Sequence, residues 1–115
     1  MDPTQFFKCL ADDTRLKTLM LIELESELCV CELTSALSVS QPKISRHLAL
    51  LKKAGVLTDR KHRQWVYYQI NPNLPSWAKS IITTSTDENK EFLENNINLL
   101  QQMGERPERV KACCN

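Results

Sequence analysis

Three observations predict a mainly α-helical domain that carries one β-hairpin. Apolar residues recur at three-to-four spacing after Asp12 and again over residues 40–54, as on the buried face of a helix. Beyond Gly55, two short stretches alternate between apolar and polar side chains around a cationic turn, which is typical of a hairpin. The chain has 115 residues, enough for one ordinary domain.

The helices can be placed from their start and stop signals. Asp12 or Asp13 can cap a first long helix, and a shorter helix is expected over residues 32–37. Residues 38–40 interrupt the pattern, after which Ser40 and Pro42 signal the start of a helix that runs to Ala54. Gly55 takes the position after its end. Two helices joined by a turn of three or four residues make a helix-turn-helix.

The helix over residues 40–54 has one packing face and one basic face. At about 100° per residue, Ile44, Leu48 and Leu51 form an apolar stripe, while Arg46 and Lys53 fall on the opposite side. The remaining polar positions are Gln41 at the start, Lys43 and Ser45 beside the outer face, and His47 at the edge of the stripe.

The two stretches of alternating residues are predicted as strands over 56–61 and 64–70, with Arg60, Lys61, His62 and Arg63 between them. A cationic hairpin directly after a helix-turn-helix is the winged-helix arrangement, in which the second helix enters the major groove of DNA. The turn contains no glycine to supply a positive φ.

The distribution of charge supports a DNA-binding role. The net charge of +1 resolves into −4 over residues 1–40, +7 over 41–79 and −2 over 80–115, so the cations lie in the predicted helix and hairpin. We expect Gln41, Ser45 and Arg46 to contact base edges, whereas the angle of His47 also fits a role in helix packing. Six further cations are expected to contact phosphates: Lys43, Lys52, Lys53, Arg60, Lys61 and Arg63. For some of the lysines the alternative is that they are simply solvated.

The last third of the chain predicts two more helices, one starting at Ser76 and one starting afresh within residues 85–88. We expect a homodimer, because palindromic DNA sites are read by two-fold proteins. Its candidate interface consists of Phe6, Phe7 and Leu10 together with Phe92, Leu93, Ile97, Leu100 and Met103; alternatively, these residues cap the monomer core. Residues 1–103 are predicted as one DNA-binding and dimerisation domain, and residues 104–115 as a flexible tail.

The pair Cys29 and Cys31 stands immediately before the first helix of the helix-turn-helix. The spacing is C-x-C, so the redox chemistry of a C-x-x-C motif is not indicated. In a regular helix these positions are about 200° apart, whereas at an unwound helix start the two sulfurs can converge. Free amide N–H groups there are expected to favour the thiolate, the form that binds soft metals.

Several of these segments together resemble the ArsR/SmtB family of metal-responsive repressors, and specifically its arsenic-sensing ArsR branch. The resemblance extends from about Phe6 to Trp77 and combines four motifs in order. They are Leu28-Cys29-Val30-Cys31-Glu32-Leu33, then Ser40-Gln41-Pro42-Lys43-Ile44-Ser45-Arg46-His47-Leu48-Ala49-Leu50-Leu51, then Gly55, and finally Trp65-Val66-Tyr67-Tyr68.

No window approaches the about 20 apolar residues of a membrane span, and the N-terminus lacks the pattern of an export signal, so we expect a cytoplasmic protein without membrane segments. The resemblance implies a homodimeric repressor bound to the operator of an arsenic-resistance operon, with His47 at a position that the family often places at the DNA surface. It is released when As(III) or Sb(III) binds the thiolates of Cys29 and Cys31. Many members have a third cysteine three residues after the second, where this chain has Thr34. The third ligand is therefore open among Cys9, Cys113, Cys114 and a small cellular thiol, and two-coordinate binding is a further alternative. We expect the ion to favour a bent or unwound segment over residues 29–33.

Other functions compete with this one. The same fold can respond to Zn(II), Cd(II) or an oxidant, or can bind DNA without sensing anything. A thiol-dependent arsenate reductase is disfavoured, because the chain contains two glycines and no phosphate-binding loop can be built from them. The sequence leaves open the operator and the order of preference among As(III), Sb(III) and Bi(III).

Overall fold

The computed structural model describes residues 1–113, with the side chains of residues 1–111. Over this range the chain forms seven helices and one three-stranded antiparallel sheet of order β1-β3-β2. In chain order the elements are α1 (Pro3–Leu10), α2 (Asp13–Glu25), β1 (Leu28–Cys29), α3 (Val30–Leu37), α4 (Gln41–Lys53), β2 (Leu57–His62), β3 (Trp65–Ile70), α5 (Ser76–Glu88), α6 (Lys90–Gln102) and α7 (Glu108–Cys113).

The predicted helix-turn-helix is confirmed as α3 and α4. Helix α2, which supports it, begins where expected, with the Asp12 carboxylate accepting the Arg15 backbone N–H at 3.0 Å. Helix α3 starts two residues earlier than predicted, at Val30. Ser40 is the N-cap of α4, and Gly55 has a φ of +81°, a conformation that suits glycine just past a helix end.

The core lies beneath this motif, and α4 presents to it the face that the spacing predicts. Ile44, Leu48 and Leu51 are fully buried, packed with α2 and α3 through residues such as Leu19 and Leu33. The opposite face of α4 is exposed. The apolar stripe therefore fixes which way the basic face points.

The wing is confirmed as β2 and β3, paired from Leu57 opposite Ile70 to His62 opposite Trp65. Its turn has no glycine, and Arg63 takes the positive φ instead, at +60°. The sequence analysis missed β1, whose Cys29 pairs with Tyr67 of β3. A two-residue strand is too short to show the alternation from which strands are predicted.

The C-terminal helices break at Asn89, slightly beyond the predicted restart over residues 85–88. The side chains of Leu93 and Leu100 face the core, as does Phe6 of α1. Phe7 and Phe92 remain half-exposed. The residues proposed for a dimer interface thus divide between the monomer core and its surface.

The end of the chain differs from the predicted flexible tail. Part of it forms α7, in which Val110 is buried against Cys29 and Tyr67. Arg106 and Arg109 hold this segment to α3 by ion pairs with Glu32, a partnership of distant residues that composition and periodicity do not show. Within residues 1–113, no helix combines the length and apolarity needed to span a membrane.

Candidate thiol site and nucleic-acid interface

The exposed face of α4 carries most of the side chains predicted to bind DNA. Its exposed residues are Gln41, Lys43, Ser45, Arg46, Lys52 and Lys53, and the wing adds Arg60, Lys61 and Arg63. Cations and amide groups on one helix, beside a cationic hairpin, suit the major groove and the adjoining phosphates.

Two of the predicted phosphate-binding cations already have partners within the protein. Lys52 Nζ lies 2.9 Å from Asp59 of β2, and Arg60 Nε donates to Glu27 at 2.7 Å. The hydrogen bond from Arg60 is the main reason why the pKa of Glu27 is lowered. The other predicted phosphate-binding residues have no carboxylate partner among the residues that the structure describes: Lys43, Lys53, Lys61 and Arg63.

His47 is set apart from these outward-facing residues. It is half-buried, with its Nδ1 3.3 Å from Nη1 of Arg15 on α2. Arg15 also donates to the backbone oxygens of Cys9 and Lys8. The ring therefore packs where α4 meets α1 and α2, in agreement with its position at the edge of the apolar stripe.

Cys29 and Cys31 converge at the start of α3. Their sulfurs are 3.4 Å apart, which confirms that this segment brings them together. Cys29 ends β1 with extended angles (φ −94°, ψ 170°), so the 200° separation of helical positions does not apply. The sulfurs converge here while α3 is regular from Val30, because β1 holds Cys29 outside the helix. The expected bending of residues 29–33 when an ion binds stays a prediction.

The two sulfurs are close enough to bind one ion. With metal–sulfur bonds of about 2.3 Å, sulfurs 3.4 Å apart subtend an angle of about 95° at the ion. One thiophilic ion can therefore bind both sulfurs after a small adjustment of the side chains. Cys31 is disulfide-bonded in this structure, so binding through both sulfurs requires reduction of that bond.

Cys29 is held mainly in its protonated form. Burial raises the pKa of Cys29 to about 11, and the charge of Glu32 adds to the rise, while backbone N–H donors oppose it. The backbone amides thus act in the expected direction, but desolvation outweighs them and the net effect is a raised pKa of Cys29.

Glu32 is the residue of this site that sequence reasoning missed. Its carboxylate is fully buried and accepts the Cys29 backbone N–H at 2.9 Å. Arg106 donates to the same carboxylate at 2.7 Å, and Arg109 Nε lies 3.0 Å from it. Glu32 stands at the third helical position after Cys29, so the reciprocal capping pattern of this helix start was the available signal.

The described residues supply two sulfurs to this centre. Cys9 is buried in the main core beside α1 and α2, in a different cluster from Cys29. The side chain of Cys113, and Cys114 altogether, lie outside the described residues. Among those described, no three His, Cys, Asp or Glu side chains are grouped so as to hold a metal ion.

Comparison with known proteins identifies the family. Residues 12–59 match the family described as "Bacterial regulatory protein, arsR family". The "Arsenic resistance transcriptional regulator ArsR1" of Pseudomonas putida is 52% identical over 113 residues, which cover 98% of this chain and 88% of that protein. The chain belongs to the ArsR family.

Further relatives of this ArsR-family protein agree with that assignment. The "Arsenical resistance operon repressor" of Escherichia coli is 56% identical over 80 residues, covering 70% of this chain and 68% of that protein. Among solved structures, HlyU from Vibrio cholerae is 32% identical with a TM-score of 0.67, covering 76% of this chain and 90% of that one. The winged helix-turn-helix described above is therefore the fold of this ArsR-family member.

Replacing Glu32 by Gln will destabilise the protein, because Arg106 and Arg109 lose the fully buried carboxylate that they share and keep only the more exposed Glu27 and Glu25. We expect the free energy of unfolding to fall by about 3 kcal/mol, measured by urea denaturation. Glu94→Gln on the exposed face of α6 is the matched control and will change stability little. Equal midpoints for the two variants would contradict the role given to Glu32.

Proposed function

We propose that this protein is an arsenic-responsive transcriptional repressor, bound to operator DNA until As(III) or Sb(III) coordinates Cys29 and Cys31. The observation that carries the proposal is the converging sulfur pair built between the wing and the helix-turn-helix. The names of the relatives from P. putida and E. coli, which refer to arsenic resistance and repression, support the same function.

The DNA is read by α4. Gln41, Ser45 and Arg46 project from its exposed face and are suited to hydrogen-bond base edges in the major groove. The surrounding lysines and the wing contact phosphates, which sets affinity and makes binding sensitive to salt. A repressor of this kind acts on the chromosome, so we place it in the cytoplasm.

The sulfur pair is coupled to the DNA-binding elements by two connections. Cys29 pairs with Tyr67 in the sheet, so β1 joins the site to the wing. Cys31 lies in the first turn of α3, which packs on α4. Coordination that draws the sulfurs toward a third ligand shifts the start of α3 relative to both. Because coupling between two ligands is reciprocal, DNA weakens metalloid binding by the factor with which metalloid weakens DNA binding.

The repressor acts as a homodimer. Apolar side chains remain exposed on two parts of the surface: Phe7 and Trp77, whose rings lie 6.5 Å apart, and Phe92 with Leu99 on α6. A second copy that covers these side chains would place two α4 helices for a two-fold operator.

Arsenite will weaken operator binding by the reduced protein at least about fivefold, measured by mobility shift. Cys29→Ser and Cys31→Ser will bind the operator and retain it in arsenite, because each removes one of the two converging sulfurs. Cys9→Ala is the matched cysteine control and will release DNA like the unaltered chain. Release by either serine variant at the same arsenite concentration would refute the assignment of the site.

Two substitutions on α4 separate base contacts from phosphate contacts. An operator with one base pair replaced binds the unaltered protein less tightly than the intact operator does. Arg46→Ala will reduce this difference in binding free energy by about 1–3 kcal/mol at the base pair that Arg46 contacts. Lys53→Ala will weaken binding to all DNA sequences similarly. It will also lower by about 1 the slope of the logarithm of the binding constant against the logarithm of the salt concentration. Binding titrations on operator and random DNA check both, with Lys90→Ala on α6 as control. An equal loss on both DNAs for Arg46→Ala would contradict base reading.

Charges placed on the exposed apolar residues of α6 will dissociate the dimer. The variant carrying Phe92→Glu and Leu99→Glu will sediment as a monomer and bind operator more weakly, because burying these carboxylates is unfavourable. Val66→Glu, a similarly exposed position on the wing, is the control and will sediment like the unaltered protein. A dimeric double variant would exclude this face of α6 from the interface.

A further inference from the structure

Two arginine side chains from distant parts of the chain lie over the ring of Tyr67. Arg60 stands opposite Tyr67 in the pairing of β2 with β3, with its guanidinium carbon 5.3 Å from the centre of the ring. The guanidinium carbon of Arg106, from the segment between α6 and α7, lies 4.6 Å from the centre of the same ring. A guanidinium group over an aromatic face is attracted to it, so Tyr67 joins the wing to the C-terminal segment.

Glu27 binds the same two arginines. Arg60 donates to both carboxylate oxygens of Glu27, with its Nε 2.7 Å from Oε2. Arg106 donates from Nη2 to the backbone oxygen of Glu27 at 2.8 Å, and its Nη1 lies 3.8 Å from the carboxylate. Four residues thus form one cluster, which we call the wing clamp: Glu27, Arg60, Tyr67 and Arg106.

Arg106 anchors the wing clamp to the helix-turn-helix. It donates to both carboxylate oxygens of Glu32, at 2.7 and 3.1 Å. Glu32 is fully buried in the first turn of α3, so this ion pair is not weakened by solvent as a surface pair is. A continuous path of contacts therefore runs from α3 through Arg106 to Glu27 and on to the wing.

The cations of the wing differ in whether they are free to bind phosphate. Arg60 forms a two-pronged pair with a carboxylate, which is among the stronger kinds of hydrogen-bonded ion pair. Moving Arg60 to a DNA phosphate would leave the Glu27 carboxylate, which is only 18% exposed, without its main partner. Lys61 and Arg63 have no carboxylate partner among the described residues, so they lose no ion pair when they bind DNA.

We propose that Glu27 and Arg106 are positioning residues that fix the wing for operator binding, and that Arg60 belongs to the wing clamp and not to the phosphate-binding surface. The inference rests on the proposed function, because it concerns how the wing meets operator DNA. It removes Arg60 from the phosphate contacts predicted above, and it gives the C-terminal segment a part in DNA binding. Lys61 and Arg63 remain the phosphate contacts of the wing.

The dependence of operator binding on salt tests the role of Arg60. Each phosphate contact adds about 1 to the magnitude of the slope of the logarithm of the binding constant against the logarithm of the salt concentration. Arg63→Gln will lower this magnitude by about 1. Arg60→Gln will leave it unchanged and weaken operator binding about threefold, because the wing loses one attachment. A magnitude lowered by about 1 in Arg60→Gln would overturn the inference.

Glu27→Gln provides the converse test. This variant removes the carboxylate that holds Arg60, so Arg60 becomes available to a phosphate and the magnitude of the salt slope will rise by about 1. Arg60→Gln in the same chain will return the slope to that of the unaltered protein. Glu88→Gln, at an exposed position at the end of α5, is the matched control and will leave the slope unchanged. An unchanged slope in Glu27→Gln would contradict the restraint on Arg60.

Amide hydrogen exchange, measured without DNA, tests the role of Arg106. Arg106→Lys keeps a positive charge beside Glu32, but a compact ammonium group does not contact Glu32, Glu27 and Tyr67 together as the planar guanidinium does. We expect the amides of β2 and β3 next to the hairpin turn to exchange about tenfold faster, while those of α2 are unaffected. Arg46→Lys on the exposed face of α4 is the matched control.

Equal exchange rates in Arg106→Lys and the unaltered protein would overturn the inference, as would an equal acceleration in α2 and the wing. Either result removes the specific connection between Arg106 and the wing and leaves the proposed function standing. Failure of the unaltered, reduced protein to bind operator DNA would instead refute the proposed function, whatever the exchange rates of the wing.

Discussion

The buried carboxylate of Glu32 is the interaction on which the thiol site depends. A carboxylate removed from water is costly unless hydrogen bonds and opposite charges surround it, and here Arg106, Arg109 and the Cys29 backbone N–H do so. These partners come from β1 and from the end of the chain. One side chain thereby fixes the start of α3, the position of Cys29 and the docking of the C-terminal segment.

This arrangement places the sulfur pair where three elements meet. The wing reaches Cys29 through the pairing of β1 with β3, and α4 is reached through α3. Glu27 adds a further link, since it lies close to Arg106 as well as to Arg60 of the wing. In the proposed function, coordination of an ion by the two sulfurs would therefore act on the wing and on α4 together.

Much of the fold was predictable because its signals are local. The apolar stripe of α4, the Asp12 cap of α2 and the alternation in β3 are each contained in a few neighbouring residues. These predictions were confirmed because each depends only on residues close together in the sequence. The apolar stripe of α4 also predicted the orientation of the basic face, because the two faces of one helix are fixed relative to each other.

The features that escaped prediction all depend on contacts between distant residues. Strand β1 forms by pairing with β3, and α7 is held through Arg109 by Glu32, which is more than seventy positions earlier. The raised pKa of Cys29 likewise arises from burial, which no local pattern around a C-x-C motif reveals. Convergence of the sulfurs was predictable, but its cause, an extended residue at the end of a strand, was not.

The conformation of Arg63 at the tip of the wing has a cost in conformational free energy. A side chain in the left-handed region costs roughly 1–2 kcal/mol that a glycine would not incur. The hairpin would fold more readily with glycine at its tip, but it would then present one cation fewer. If the wing contacts DNA phosphates as proposed, this local penalty lies at the contact itself, and a hairpin stabilised by glycine would hold DNA less tightly.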